Sequence, residues 1–113
     1  MHYDLKVWQL AMDLVVEVYA ITKQFPDIEK YGLGSQMQRA AVSVPSNIAE
    51  GAGRESNADF LRFLTIARGS LSELETQLLL AQRLNYITDV SQQLNKIKEV
   101  FMLLKGLVRK LKL

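Results

Sequence analysis

The chain has 113 residues, of which 49% are hydrophobic, 23% charged and 8% aromatic, and its formal net charge is +2. At this size folding buries about two-thirds of the surface the unfolded chain exposes, so one domain spanning residues 1–113 needs no disulfide or metal to hold it. With no cysteine and one histidine, His2, thiol nucleophiles, iron–sulfur clusters and the histidine pairs of most transition-metal sites are excluded, and no cofactor is expected.

Glycine and proline are scarce, and the stretches between them carry apolar residues at helical spacing, so the chain reads as all-α. In the first segment, Asp4 to Phe25, the residues Val7, Ala11, Leu14, Val18, Ile21 and Phe25 recur at threes and fours, with Asp4 placed as the N-cap and Pro26 as the stop. Asp27 to Gly34 is a connection. The second helix, Ser35 to Glu50, is Ala-rich and ends at Gly51, a natural residue just past a helix end. Pro45 lies inside it, so a kink near Pro45 or two short helices are expected.

The third helix opens on Ser56 with Asp59 three residues later and runs through Phe60, Phe63, Leu64, Ala67, Leu71, Leu74, Leu78 and Ala81 to Leu84. Gly69 in its middle predicts a close helix crossing. Asn85 to Thr88 form a turn. The fourth helix, Asp89 to Leu111, carries Val90, Leu94, Ile97, Phe101, Leu104, Val108 and Leu111 as a heptad seam. Four antiparallel helices with short loops predict an up-down-up-down four-helix bundle. No run without charge reaches the roughly 20 residues of a membrane span, and no basic and apolar leader opens the chain. A cytoplasmic protein without a membrane partner is expected.

Helix 1 carries more apolar surface than one core needs. Its polar residues Gln9, Asp13, Glu17 and Gln24 crowd into a narrow arc, while Trp8, Met12, Val15, Val16 and Tyr19 widen the apolar one. Such an arc predicts self-association, against the alternative that these are scattered surface apolars.

Several motifs carry less than they suggest. Glu50-Gly51-Ala52-Gly53-Arg54 offers glycines ahead of a helix, but it follows a helix and lacks the lysine and hydroxyl of a phosphate loop, leaving a cap, a loop and a local Glu50–Arg54 pair. Glu73 and Glu75 lack the Glu-x-x-His partners of di-iron bundles, and Glu73 is expected to pair with Arg39 or Arg68. No base is placed for a serine nucleophile, so Ser43, Ser46 and Asn47 are expected to satisfy backbone groups freed by Pro45. No enzyme activity and no small-molecule substrate are expected.

Charge is more informative. Residues 1–57 carry five basic and seven acidic side chains, and residues 58–113 carry nine and five. On helix 4, Lys98, Lys105, Arg109 and Lys112 fall within roughly 60° of one another at 100° per residue, and Lys110 adds charge at the terminus. Lysines there complement the helix dipole. They equally form a candidate nucleic-acid-binding stripe, with Arg54 and Arg62 as secondary candidates, and in the absence of an aromatic RNA-recognition signature it would read backbone and shape.

The order Val7-Trp8-Gln9, Phe25-Pro26, Tyr31-Gly32-Leu33, Gln38-Arg39-Ala40-Ala41-Val42-Ser43, Asn47-Ile48-Ala49-Glu50-Gly51 and Gly69-Ser70 with Glu73-Leu74-Glu75 resembles the small four-helix-bundle proteins encoded in intervening sequences of bacterial 23S ribosomal RNA genes. The likeness covers nearly the whole chain, with Gln38 a departure where the family often has a second arginine. It implies a ring-forming homo-oligomer, a pentamer, and kinship with the basic accessory protein of diversity-generating retroelements, which engages RNA and a reverse transcriptase. It implies no defined activity. The expectation is a non-enzymatic ring that binds structured RNA or a nucleic-acid-handling protein, with a protein–protein adaptor as the alternative.

Overall fold

Apolar residues at helical spacing, separated by short polar connections, leave the chain one economical way to hide them, which is to pack helix against helix. A computed structural model describes all of residues 1–113. It contains four α-helices and no strand: α1 Lys6–Thr22, α2 Leu33–Ala52, α3 Asn57–Arg83 and α4 Ser91–Leu111, with short 3-10 turns at His2–Asp4 and Asp27–Glu29. Each helix packs on its neighbours in the order α1, α2, α3, α4 and back to α1, around one apolar core. Leu14, Val18, Met37, Val44, Ile48, Leu64, Leu71, Leu74, Leu78, Ile97 and Leu104 are its largest fully buried members. Asn57 at the start of α3 donates to Leu111 O near the end of α4, and Glu17 late in α1 meets Gln92 and Lys96 early in α4, so these two pairs are antiparallel. No helix is long and apolar enough to cross a membrane.

The helix ends differ from expectation in instructive ways. Asp4 does not cap α1. It lies in the preceding 3-10 turn, and Leu5 occupies the cap with no side-chain bond. α2 starts two residues early because Glu29 reaches forward, its Oε1 accepting from Leu33 N–H at 3.0 Å. Gly32 makes this possible, since a Cβ there would sit 2.6 Å from that same Oε1. Glu29 Oε2 accepts from Tyr86 Oη at 2.7 Å, and Tyr86 packs on Phe25 with ring centroids 5.4 Å apart. One carboxylate thus ties the α1–α2 connection to the α3–α4 connection.

α2 runs as one helix through Pro45 rather than as two short ones. It also runs through Gly51 instead of ending there. Gly51 is needed for space, because a Cβ on it would lie 2.8 Å from both Phe60 Cδ1 and Phe63 Cβ, where α3 crosses closely. The close approach expected at Gly69 is therefore found at Gly51, and Gly69 faces open space. Ser56 caps α3 as expected, accepting from Asp59 N–H at 3.1 Å. The other end of α3 closes on Asn85 at φ 62°, with Asn85 N–H bonded to Gln82 O and Tyr86 N–H to Ala81 O, a Schellman pattern.

Candidate nucleic-acid interface

Lys98, Lys105, Arg109, Lys110 and Lys112 are all exposed on α4, and none has a carboxylate partner. Their direction follows from the opposite side of the helix. Lys96 pairs with Glu17 of α1, and Gln92 and Gln93 donate to the same carboxylate at 3.1 and 3.3 Å. At 100° per residue, Lys98, Lys105, Arg109 and Lys112 stand roughly opposite Lys96, so the stripe faces away from α1 and spans ~21 Å of helix. Met102, 73% exposed, lies within it. The one aromatic of α4, Phe101, instead packs against the core.

The Lys96 ammonium is held above the usual lysine range, chiefly by its hydrogen bond to Glu17 and, less, by the charges of Asp13 and Glu99, with partial burial opposing. Lys96 is therefore committed to the α1–α4 seam, which explains why it does not join the stripe.

Arg54 and Arg62 sit at the end of the bundle where α2 passes into α3. Arg54 pairs with Glu50 at 3.0 Å, as its spacing predicts. Both guanidiniums also lie over the ring of Phe63, with Cζ 4.8 Å (Arg54) and 4.6 Å (Arg62) from its centroid. The Asn57–Leu111 bond brings the basic end of α4 to the same end of the molecule.

The apolar arc of α1 separates into two tiers. Met12, Val16 and Tyr19 are exposed, Val16 to 69%, whereas Trp8 and Val15 are half-buried and pack partly on the core. Trp8 is further engaged edge-on by Tyr3 and His2. A shallow groove runs from Tyr19 to Gln38, Arg39, Val42 and Ser43 of α2, and Val42 is itself exposed, so the apolar arc continues onto α2. Val42 could have been found from the sequence, because it shares the outward helical face with Arg39 and Ser46.

Two expectations fail. Glu73 makes no ion pair with Arg39 or Arg68; Arg39 instead donates to Ser35 Oγ at 3.0 Å, four residues away, which its long side chain reaches without crossing to α3. Ser43, Ser46 and Asn47 do not bond the Ala41 carbonyl. Asn47 Nδ2 donates to Ser43 O (2.8 Å) and Oγ (3.0 Å) within α2, and Ser70 Oγ bonds Ser43 Oγ at 2.8 Å, so Ser43 joins α2 to α3. Gln77, only 8% exposed on α3, carries no signal in the sequence because its neighbours are ordinary heptad leucines.

Comparison with known proteins agrees with the four-helix fold. The profile of the 23S rRNA-intervening sequence protein family matches residues 3–106. The chain belongs to this family. Among solved structures, it is similar to a Bacteroides thetaiotaomicron protein of unknown function from the S23 ribosomal protein family, with 27% identity, a TM-score of 0.83, and coverage of 90% of this chain and 97% of that one. A search of curated proteins finds no match. Several residues of the matched range have structural work: Gly32 admits the Glu29 cap, Ser43 ties α2 to Ser70 of α3, Glu50 pairs with Arg54, and Gly51 admits Phe60 and Phe63.

Proposed function

We propose that this protein is a non-enzymatic, ring-forming bundle that binds structured RNA along its basic α4 face. The observation that carries the reading is an exposed row of four cations, Lys98, Lys105, Arg109 and Lys112, without acidic partners and turned away from the helix that bears the exposed apolar arc, with Lys110 adding charge at the end of α4. A second copy of the chain covers Met12, Val16, Tyr19 and Val42, and the row on α4 stays free to meet phosphate. In a ring the neighbour's contact is heterologous, so each copy repeats the row around the assembly, and a weak patch becomes a polyanion surface. Five copies is the number the family resemblance implies. With no exposed aromatic on α4 to stack bases, contact is to backbone and shape, and sequence selectivity is low.

The test is binding of a labelled structured RNA at increasing salt, with wild-type protein and a variant carrying Lys98→Glu, Lys105→Glu and Lys112→Glu. Steep salt dependence in the wild type and loss of binding in the variant, with unchanged helix content, are expected. Equal affinity in the two proteins contradicts the reading. The second reading, an adaptor for another protein, is favoured by the same apolar α1–α2 arc; it predicts a partner held at high salt and insensitive to the α4 changes.

A further inference from the structure

Arg54 and Arg62 differ from the lysines of α4 in being held. Phe63 is buried except for 9% of its surface, and its position is set from behind by Gly51, whose missing Cβ lets α2 pass against Phe60 and Phe63. Two guanidiniums then share the one ring, Cζ 4.8 and 4.6 Å from the centroid. Contact with the ring restricts both long side chains, while both residues remain exposed, so N–H donors stay open to a ligand. Arg54 spends one donor on Glu50, in a pair whose side chains are 41% and 58% exposed, and Arg62 has no carboxylate partner. A guanidinium has five donors in a fixed fork, so both retain the edge that matches two oxygens of a phosphate.

The surroundings decide the ligand. Glu55 and Asp59 flank the pair in sequence and offset its charge, but the Asn57–Leu111 bond brings the end of α4 alongside, with Arg109, Lys110 and Lys112. An extended anion that spans both groups gains from all of them; a single small anion meets the nearby acids as well. We infer that Arg54 and Arg62, stacked on Phe63, form a preorganised grip for a phosphodiester of a bound nucleic acid, and that this grip, rather than the flexible lysines of α4, fixes where the backbone enters the basic face. The inference rests on the nucleic-acid reading above and adds the anchor to it.

Geometry and charge can be told apart by substitution. Arg62→Lys keeps the charge and loses the fork and the stacking, so RNA affinity falls by about tenfold while the slope of binding against salt is unchanged. Phe63→Leu keeps both charges and an apolar side chain in the core; it weakens binding in the same direction, with helix content and subunit mass measured alongside. The comparison is Lys98→Gln with Lys105→Gln against Arg54→Gln with Arg62→Gln, each removing two charges. A larger loss for the arginine pair supports the grip. Wild-type affinity in Arg62→Lys together with equal losses in the two double variants overturns the grip and leaves the basic-face reading standing. Absence of salt-dependent RNA binding by the wild type overturns both.

Discussion

Two glycines in this chain look alike in sequence and act in opposite ways. Gly51 is closed in by Phe60 Cδ1 and Phe63 Cβ, each 2.8 Å from where a Cβ would be, whereas Gly69 meets nothing within 4 Å. Gly51→Ala is expected to lower stability by about 1–3 kcal/mol through overpacking. Gly69→Ala is expected to raise it by ~0.5–1 kcal/mol, because the helix gains a better former at no steric cost. Thermal unfolding of the two variants measures both signs. Glu29 makes a further prediction at this scale. Its carboxyl is held below the usual glutamate range by the Leu33 N–H and then by the Tyr86 hydroxyl, against a small opposing effect of burial. A depressed folded value means that the contribution is present above the ordinary glutamate pKa and is lost as pH falls through the lowered one. Glu29→Gln is therefore expected to flatten the loss of stability on the acid side of pH 5, measured by urea unfolding, relative to wild type. Tyr86 is raised, chiefly by the same hydrogen bond to Glu29, so its contribution is present below the ordinary tyrosine range and lost as pH climbs through the raised value.

At the scale of elements, four helices were legible because period-3.6 repetition survives any detail of packing; Val7, Ala11, Leu14, Val18 and Ile21 are all buried as their spacing requires. What was not legible is what depends on partners distant in sequence. The cap of α2 comes from Glu29, outside the usual cap position, and it works only because Gly32 leaves room and Tyr86 holds the other oxygen, 57 residues away. Gly51 and Gly69 could not be separated without knowing where α3 crosses. Val100, fully buried, lies beside the heptad seam, because α4 buries a wider face than a and d positions alone. The α1–α4 seam gives this scale its own prediction. The pair of Lys96 with Glu17, backed by Gln92 and Gln93, is the main polar tie between these helices. Since Lys96 is raised mainly by Glu17, its contribution is present below the ordinary lysine range and lost as pH rises through the raised value. Glu17→Gln is expected to remove that alkaline dependence, and amide exchange on α4 at high pH reports it. Of the candidate site, the α4 stripe was legible from charge spacing alone; the stacking of Arg54 and Arg62 on Phe63 was not, because it joins a loop residue to two positions of α3.

For the whole molecule, the two surfaces occupy different sides. α1 and α2 present Met12, Val16, Tyr19 and Val42, and α4 presents Lys98, Lys105, Arg109 and Lys112 on the side turned from α1. One face can therefore close an assembly while the other remains open to a polyanion. Val16→Glu, at a 69% exposed apolar position of α1, is expected to leave the helical bundle intact and to disperse the proposed ring, seen as a fall to monomer mass in sedimentation with unchanged helix content. The most direct measurement is native mass spectrometry of gently purified protein, since one spectrum reports subunit number and retained nucleic acid together. A ring mass, with RNA that is released as salt is raised, is the expected result. A monomer free of nucleic acid at every salt concentration would contradict the account.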